Sequence, residues 1–119
     1  MELKNNDLRI GNWVMVDPHN FPQQVCDVMC DSVNTENVQG AHYGLIDAVQ
    51  LTEEWLLKFG FSINRIVFWK KSLSLVYFKG LFYIMPNINR ITQKGIQIKY
   101  VHQLQNLYWA LCGEELIIK

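Results

Sequence analysis

Only two stretches of this 119-residue chain carry a helical period, and everything between and before them is short, β-rich and broken by turn residues. That punctuation is the tightest constraint on its fold. Gly11-Asn12, Asp17-Pro18, Gly40, Gly44, Lys79-Gly80, Pro86 and Gly95 cut the chain into runs of a few residues. Runs so short pair as antiparallel neighbours, because a parallel crossover needs a dozen or more residues between strands. The spacing predicts an α+β chain with mainly antiparallel strands, a short central helix and a longer C-terminal helix.

The central helix is read from LTEEWLLKFGF, residues 51–61. Thr52 is a favourable N-cap, and Glu53 and Glu54 occupy the first turn, where the helix dipole favours negative charge. Leu51 and Leu56 stand at the positions of a hydrophobic staple, and Gly60 is the expected left-handed stop. The second helix is read from YVHQLQNLYWALCG, residues 100–113. At 100° per residue, Val101, Leu104, Tyr108, Leu111 and Cys112 share one face, flanked by Leu107. His102, Asn106 and Trp109 lie opposite, with Gln105 at the boundary.

Strands are expected over Leu8–Val16, bent at Gly11-Asn12, and over Gln24–Met29, with polar loop or hairpin at Asp31–Asn37 and one or two short strands in Gln39–Val49. The first fifty residues thus read as a β-rich part, a small SH3-like barrel or a meander. In residues 51–119, strands are expected at Ile63–Trp69, Leu73–Phe78 and Leu81–Met85. A short strand at Gln97–Lys99 and a closing strand at Glu115–Lys119 complete the list. With no Pro- or Ser-rich linker and no repeat, the whole is expected to be one compact domain of two sub-parts, 1–50 and 51–119.

Half the residues are apolar, which excludes disorder as a description of the whole. The longest unbroken apolar run, Leu81 to Met85, is too short to cross a bilayer, and MELKNNDLRI lacks the regions of a signal peptide. Cytoplasmic location and no membrane partner are the expectations. Cys26, Cys30 and Cys112 then read as reduced thiols. Cys26 and Cys30 are spaced C-x3-C, and the nearest histidines, His19 and His42, lie too far along the chain for a recognisable zinc pattern. No metal and no cofactor are expected, and both thiols are expected to pack inward from one strand face.

The zero net charge conceals a division. Residues 1–57 hold nine acids and two bases, while residues 58–113 hold eight bases and no acid. A basic half meets anions such as phosphates; equally, the two halves can neutralise each other within the fold or between subunits. Arg65, Trp69, Lys70, Lys71, Tyr77, Tyr83 and Arg90 place bases and aromatics in the acid-free segment. Bases neutralise phosphate, and aromatic faces stack on nucleobases. Trp109 beside Asn106, Gln105 and His102 adds a flat surface with hydrogen-bonding edges, unless these residues serve packing. The acidic half repels a long polyanion, so double-stranded DNA is not an expected partner.

Catalytic patterns are missing: no G-x-S-x-G, no H-E-x-x-H, no P-loop and no dinucleotide fingerprint. Glu53 and Glu54, adjacent on a helix, diverge by about 100° and cannot share a proton. Cys112 and His102 are separated by about 15 Å of helical rise and form no dyad. The expectation is a non-catalytic protein, with a nucleotide hydrolase as the weakest alternative.

At LRIGNWV, LTEEWLLKFGF and YVHQLQNLYWALCGEEL, the chain resembles small proteins of phages, prophages and mobile elements of Bacteroides-type bacteria that carry no established activity. The resemblance covers both ends and the central helix and leaves 17–50 and 64–97 poorly covered. It implies a small accessory protein in a bacterial cytoplasm, of the kind that binds a host protein or sequesters a nucleotide immune signal. Residues and resemblance together predict a homo-oligomeric protein that captures a small anionic nucleotide-like ligand. The alternatives are a module that inhibits or recruits a host or phage protein, and a single-stranded nucleic-acid binder.

Overall fold

The computed structural model describes residues 3, 7–84 and 96–118. They form an α+β structure with two five-stranded antiparallel sheets and two helices. The chain divides into two compact units, one of residues 1–50 with 100–102 and one of residues 51–99 with 103–119.

In the first unit, β1 (Trp13–Val16), β2 (Pro22–Val28), β3 (Ser32–Thr35) and β4 (Ala41–His42) follow one another as a meander. A 3-10 turn at Tyr43–Leu45 then sends β5 (Ile46–Ala48) back to pair with β1. The order β4-β3-β2-β1-β5 is that of a curled meander. Its strands alternate: Val14, Val16, Val25, Val33 and Ile46 are buried with Leu3 and Leu8, while their strand neighbours other than Ser32 are half-buried or exposed. Two polar residues join that inner side. The Thr35 hydroxyl donates to Gln23 Oε1 at 2.6 Å, and Gln23 Nε2 meets His19 Nδ1 at 2.9 Å, so the buried amide is satisfied at both ends.

The expected inward packing of Cys26 and Cys30 is corrected: both are exposed. Gln23 and Val25 face in, so alternation turns Cys26 outward, at a register shift between Val25 and Asp27, and Cys30 lies past the end of β2.

In the second unit, α1 (Glu53–Lys58) forms as its sequence requires. The Thr52 hydroxyl accepts from Trp55 N, Leu51 and Leu56 are buried, and Gly60 follows with φ 87°. Burying Leu56 in full is worth about 2 kcal/mol, more than the cap. The sheet runs β6 (Ser62–Asn64), β7 (Val67–Lys70), β8 (Leu73–Phe78), β9 (Leu81–Ile84) and β10 (Gln97–Ile98), each hydrogen-bonded to the next. The strand expected at Ile63–Trp69 is in fact two, joined by a two-residue turn at Arg65-Ile66. That turn lacks the Gly or Asn that normally announces a tight hairpin.

α2 (Val101–Cys112) is the longer helix, and its inward face is rotated from the expected one. Val101, His102, Leu104, Gln105 and Tyr108 are buried, while Leu111 is exposed. Residues 114–118 run on without strand pairing, which corrects the expected closing strand; Leu116 alone among them is buried.

Candidate ligand-binding end of the second sheet

The second sheet has one buried and one open face, fixed by register. Ile63, Phe68, Leu75, Tyr77, Phe82 and Ile98 share the inner side, where Phe68, Leu75 and Phe82 are buried and Phe68 meets Phe82 edge-on at 5.8 Å. The outer side carries Trp69 opposite Ser62 and Ser74, then a row of Asn64, Val67, Val76, Tyr83 and Gln97, then Phe78 opposite Leu81. Successive rows on one face lie about 7 Å apart. Trp69 is 39% exposed and Phe78 55%, while Tyr83 is half-buried.

Three two-residue turns connect β6 to β9. Arg65-Ile66 and Lys79-Gly80 project from one end of the sheet, and Lys71-Ser72 from the other. The first residue of each turn is a base with positive φ: Arg65 at 59°, Lys71 at 52° and Lys79 at 51°. A residue with a Cβ adopts that conformation at a cost of about 1 kcal/mol, and Asn or Gly is the usual occupant. Hydrogen bonding keeps the first end together, with Tyr77 N–H donating to the Ile66 carbonyl at 2.8 Å. Lys79 Nζ lies 5.3 Å from the Phe78 ring centre. Neither Arg65 nor Lys79 has an acidic partner among the described residues.

The opposite end is built for internal contacts. Lys70, on the inner side opposite Leu73, donates from Nζ to the Phe59 carbonyl at 2.7 Å and lies 5.7 Å from the Tyr108 ring centre. Lys71 is ion-paired with Glu114. Their hydrogen bond raises the Lys71 pKa and lowers that of Glu114, so both charges persist through the neutral range.

The sequence-predicted site therefore separates. Arg65, Tyr77 and Tyr83 lie toward the first end, Tyr77 on the inner face and Tyr83 on the outer one, with Trp69 further along the outer face. Lys70 and Lys71 are at the other end and already partnered. His102 is 2% exposed and Gln105 1%, so neither offers an edge to solvent at its position on α2. The His102 ring stacks on Tyr100 at 6.0 Å, and burial pushes its pKa down against the opposing effect of Asp7. Asn106 is half-buried and Trp109 48% exposed. Arg90 lies outside the described residues.

No protein-family model, curated protein or solved structure matches the chain. Its own geometry is what distinguishes the site. That geometry adds Lys79, Phe78 and Leu81, which the sequence reading used only as turn and strand. A signal for them existed: Phe78-Lys79-Gly80-Leu81 puts a base at a hairpin tip between two apolar residues. Among the described residues, no three His, Cys, Asp or Glu side chains lie close enough to hold a metal ion, and no helix is long and apolar enough to cross a membrane.

Proposed function

We propose that the protein is a non-catalytic binding module that captures a small anionic, nucleotide-like ligand at the Arg65/Lys79 end of the second sheet. One observation carries the reading: two bases with no acidic partner among the described residues begin strained turns at the same end of the sheet, and Lys79 Nζ lies 5.3 Å from the centre of the exposed Phe78 ring. Strain tolerated at a turn where Asn or Gly would fit at lower cost points to the side chain itself as the useful part. Arg65 and Lys79 would hold phosphates, and Phe78 and Tyr83, on adjacent rows, would flank a base. The second unit holds nine bases against four acids, a field that draws an anion toward this end. The resemblance to phage and mobile-element proteins suggests a cytoplasmic host immune nucleotide as the ligand, and a homo-oligomer would enclose it.

The test is titration calorimetry of the full chain against nucleoside monophosphates, triphosphates and cyclic oligonucleotides, repeated with Arg65→Gly/Lys79→Asn. Both substitutions suit a positive φ, so the variant keeps its fold. The expected result is binding to at least one nucleotide class, weakened tenfold or more in the variant. Absence of binding across the panel, or equal affinity in the variant, refutes the reading.

A second reading has its own observation. Ile66, Phe78 and Leu81 are all exposed at this same end, an apolar surface that a protein partner would cover. It predicts no nucleotide affinity and a partner released by Phe78→Ser.

A further inference from the structure

The other end of the second sheet carries a polar cluster that the proposed site does not use. Cys112, in the last turn of α2, has its Sγ 3.5 Å from the Ser72 hydroxyl in the β7–β8 turn. One turn earlier on the helix, the Tyr108 hydroxyl is buried without a hydrogen-bond partner of good geometry, although the residue is only 1% exposed. Its electrostatic neighbours are Cys112, Lys71 and Glu114, and the thiol is also its one weak side-chain hydrogen-bonding contact, so the hydroxyl faces the sulfur. Burial is the main reason its pKa is raised, which keeps it a neutral O–H donor. The Lys71 ammonium, ion-paired to Glu114, feels both Tyr108 and Cys112.

We infer that Cys112 is a peroxide-reactive thiol whose sulfenic acid is held by the hydroxyls of Tyr108 and Ser72. A reduced thiol is a poor acceptor, so its contact with the Tyr108 donor is weak. A sulfenate oxygen on the same sulfur is a strong acceptor and would satisfy it. The end of a helix disfavours an anion, and Ser72 and Tyr108 supply the compensating donors, the Lys71 charge being shared with Glu114.

In the reaction, Cys112 loses its proton to solvent, and the thiolate attacks one oxygen of hydrogen peroxide. A sulfur–oxygen bond forms as the oxygen–oxygen bond breaks. Sulfur is oxidised by two electrons, peroxide is reduced, and the departing hydroxide takes a proton from solvent and leaves as water. Cys26 and Cys30 are internal references: both are exposed, and the contact of Cys26 is a long one to the Gln24 carbonyl at 3.8 Å. Cys30 has the Tyr43 hydroxyl as an electrostatic neighbour, but that hydroxyl already donates to the Met29 carbonyl at 2.8 Å.

The experiment treats the full reduced chain with hydrogen peroxide in the presence of a dimedone-type probe and quantifies the adduct at each cysteine by peptide mass spectrometry. Cys112 is expected to accumulate adduct at least tenfold faster than Cys26 and Cys30, despite being less exposed. Tyr108→Phe, which removes one oxygen and keeps the ring, is expected to cut the Cys112 adduct several-fold and leave the other two unchanged. Should that variant fail to fold by near-ultraviolet circular dichroism, Ser72→Ala at an exposed turn makes the same prediction. Equal labelling of the three thiols, or a Cys112 adduct unaffected by removal of either hydroxyl, overturns the inference.

Discussion

Replacing Lys70 by Met separates a structural lysine from a ligand-binding one. The methionine stem fills nearly the same space along Tyr108, so packing is preserved and the ammonium alone is removed. Lys70 Nζ donates to the carbonyl of Phe59, the C-cap of α1, and Phe59 is fully buried. A buried carbonyl stripped of its donor costs about 1–3 kcal/mol. The lost contact with the Tyr108 ring adds about 0.5 kcal/mol, and loss of a cation at the helix end adds a few tenths. Lys70 is only half-buried, so solvent recovers part of this, and the expected net loss is about 2 kcal/mol. At about 2.1 cal/mol/K per residue of unfolding entropy, that lowers Tm by about 8 °C. The assay pairs a thermal melt with nucleotide titration. Stability is expected to fall while affinity holds within twofold. A variant with unchanged Tm and tenfold weaker ligand binding would refute the argument that Lys70 is used up inside the fold.

Thr52→Ala removes the N-cap of α1; because the bond to Trp55 N is long at 3.4 Å, the expected loss is about 0.5–1 kcal/mol in a urea melt, with a larger loss pointing to a second role for Thr52. Burial lowers the His102 pKa below its ordinary 6.5, so below that pH the unfolded chain binds the extra proton and stability falls as pH drops. In urea midpoints measured from pH 7.5 to 5, His102→Gln is expected to flatten that decline, and an unchanged slope would assign it to other groups. Lys79→Asn relieves a left-handed lysine in a two-residue turn, so it is expected to raise stability by about 0.5–1 kcal/mol while weakening nucleotide binding. A variant that gains stability and keeps full affinity would remove Lys79 from the site.

Where a local signal and the tertiary requirement coincide, the sequence was legible. The Thr52 cap, the Leu51–Leu56 staple and the Gly60 stop all lie within one short segment and needed no distant partner to interpret. The β8–β9 hairpin was equally plain because Lys79-Gly80 is turn chemistry in its own right. Arg65-Ile66 was invisible for the opposite reason, since a base and a β-branched residue favour continued strand. On α2, periodicity found a helix and misplaced its inward face by treating polar residues as solvent-facing. His102 and Gln105 are buried although polar, His102 Nδ1 without a hydrogen-bond partner among the described residues, and burial of that kind is not encoded in a 3.6-residue period. The site was half legible for a related reason. Composition identified an acid-free basic segment, but only strand register tells which bases share an end of the sheet.

The three left-handed bases show how that register divides roles among residues of identical type. Each begins a two-residue hairpin, and each carries the same conformational cost. Lys71 recovers it through Glu114, which the chain brings to that end after α2, so a structural reason for a base there is complete. Arg65 and Lys79 have no such acid among the described residues, and antiparallel alternation puts their turns at the opposite end. A meander with an even number of strands between two turns must place them together, whatever their sequence separation. Fourteen residues apart in the chain, Arg65 and Lys79 are therefore brought to the same end of the sheet by topology alone. On the proposed reading, two bases that share one sheet end with no acid among the described residues are the feature an anion would complete.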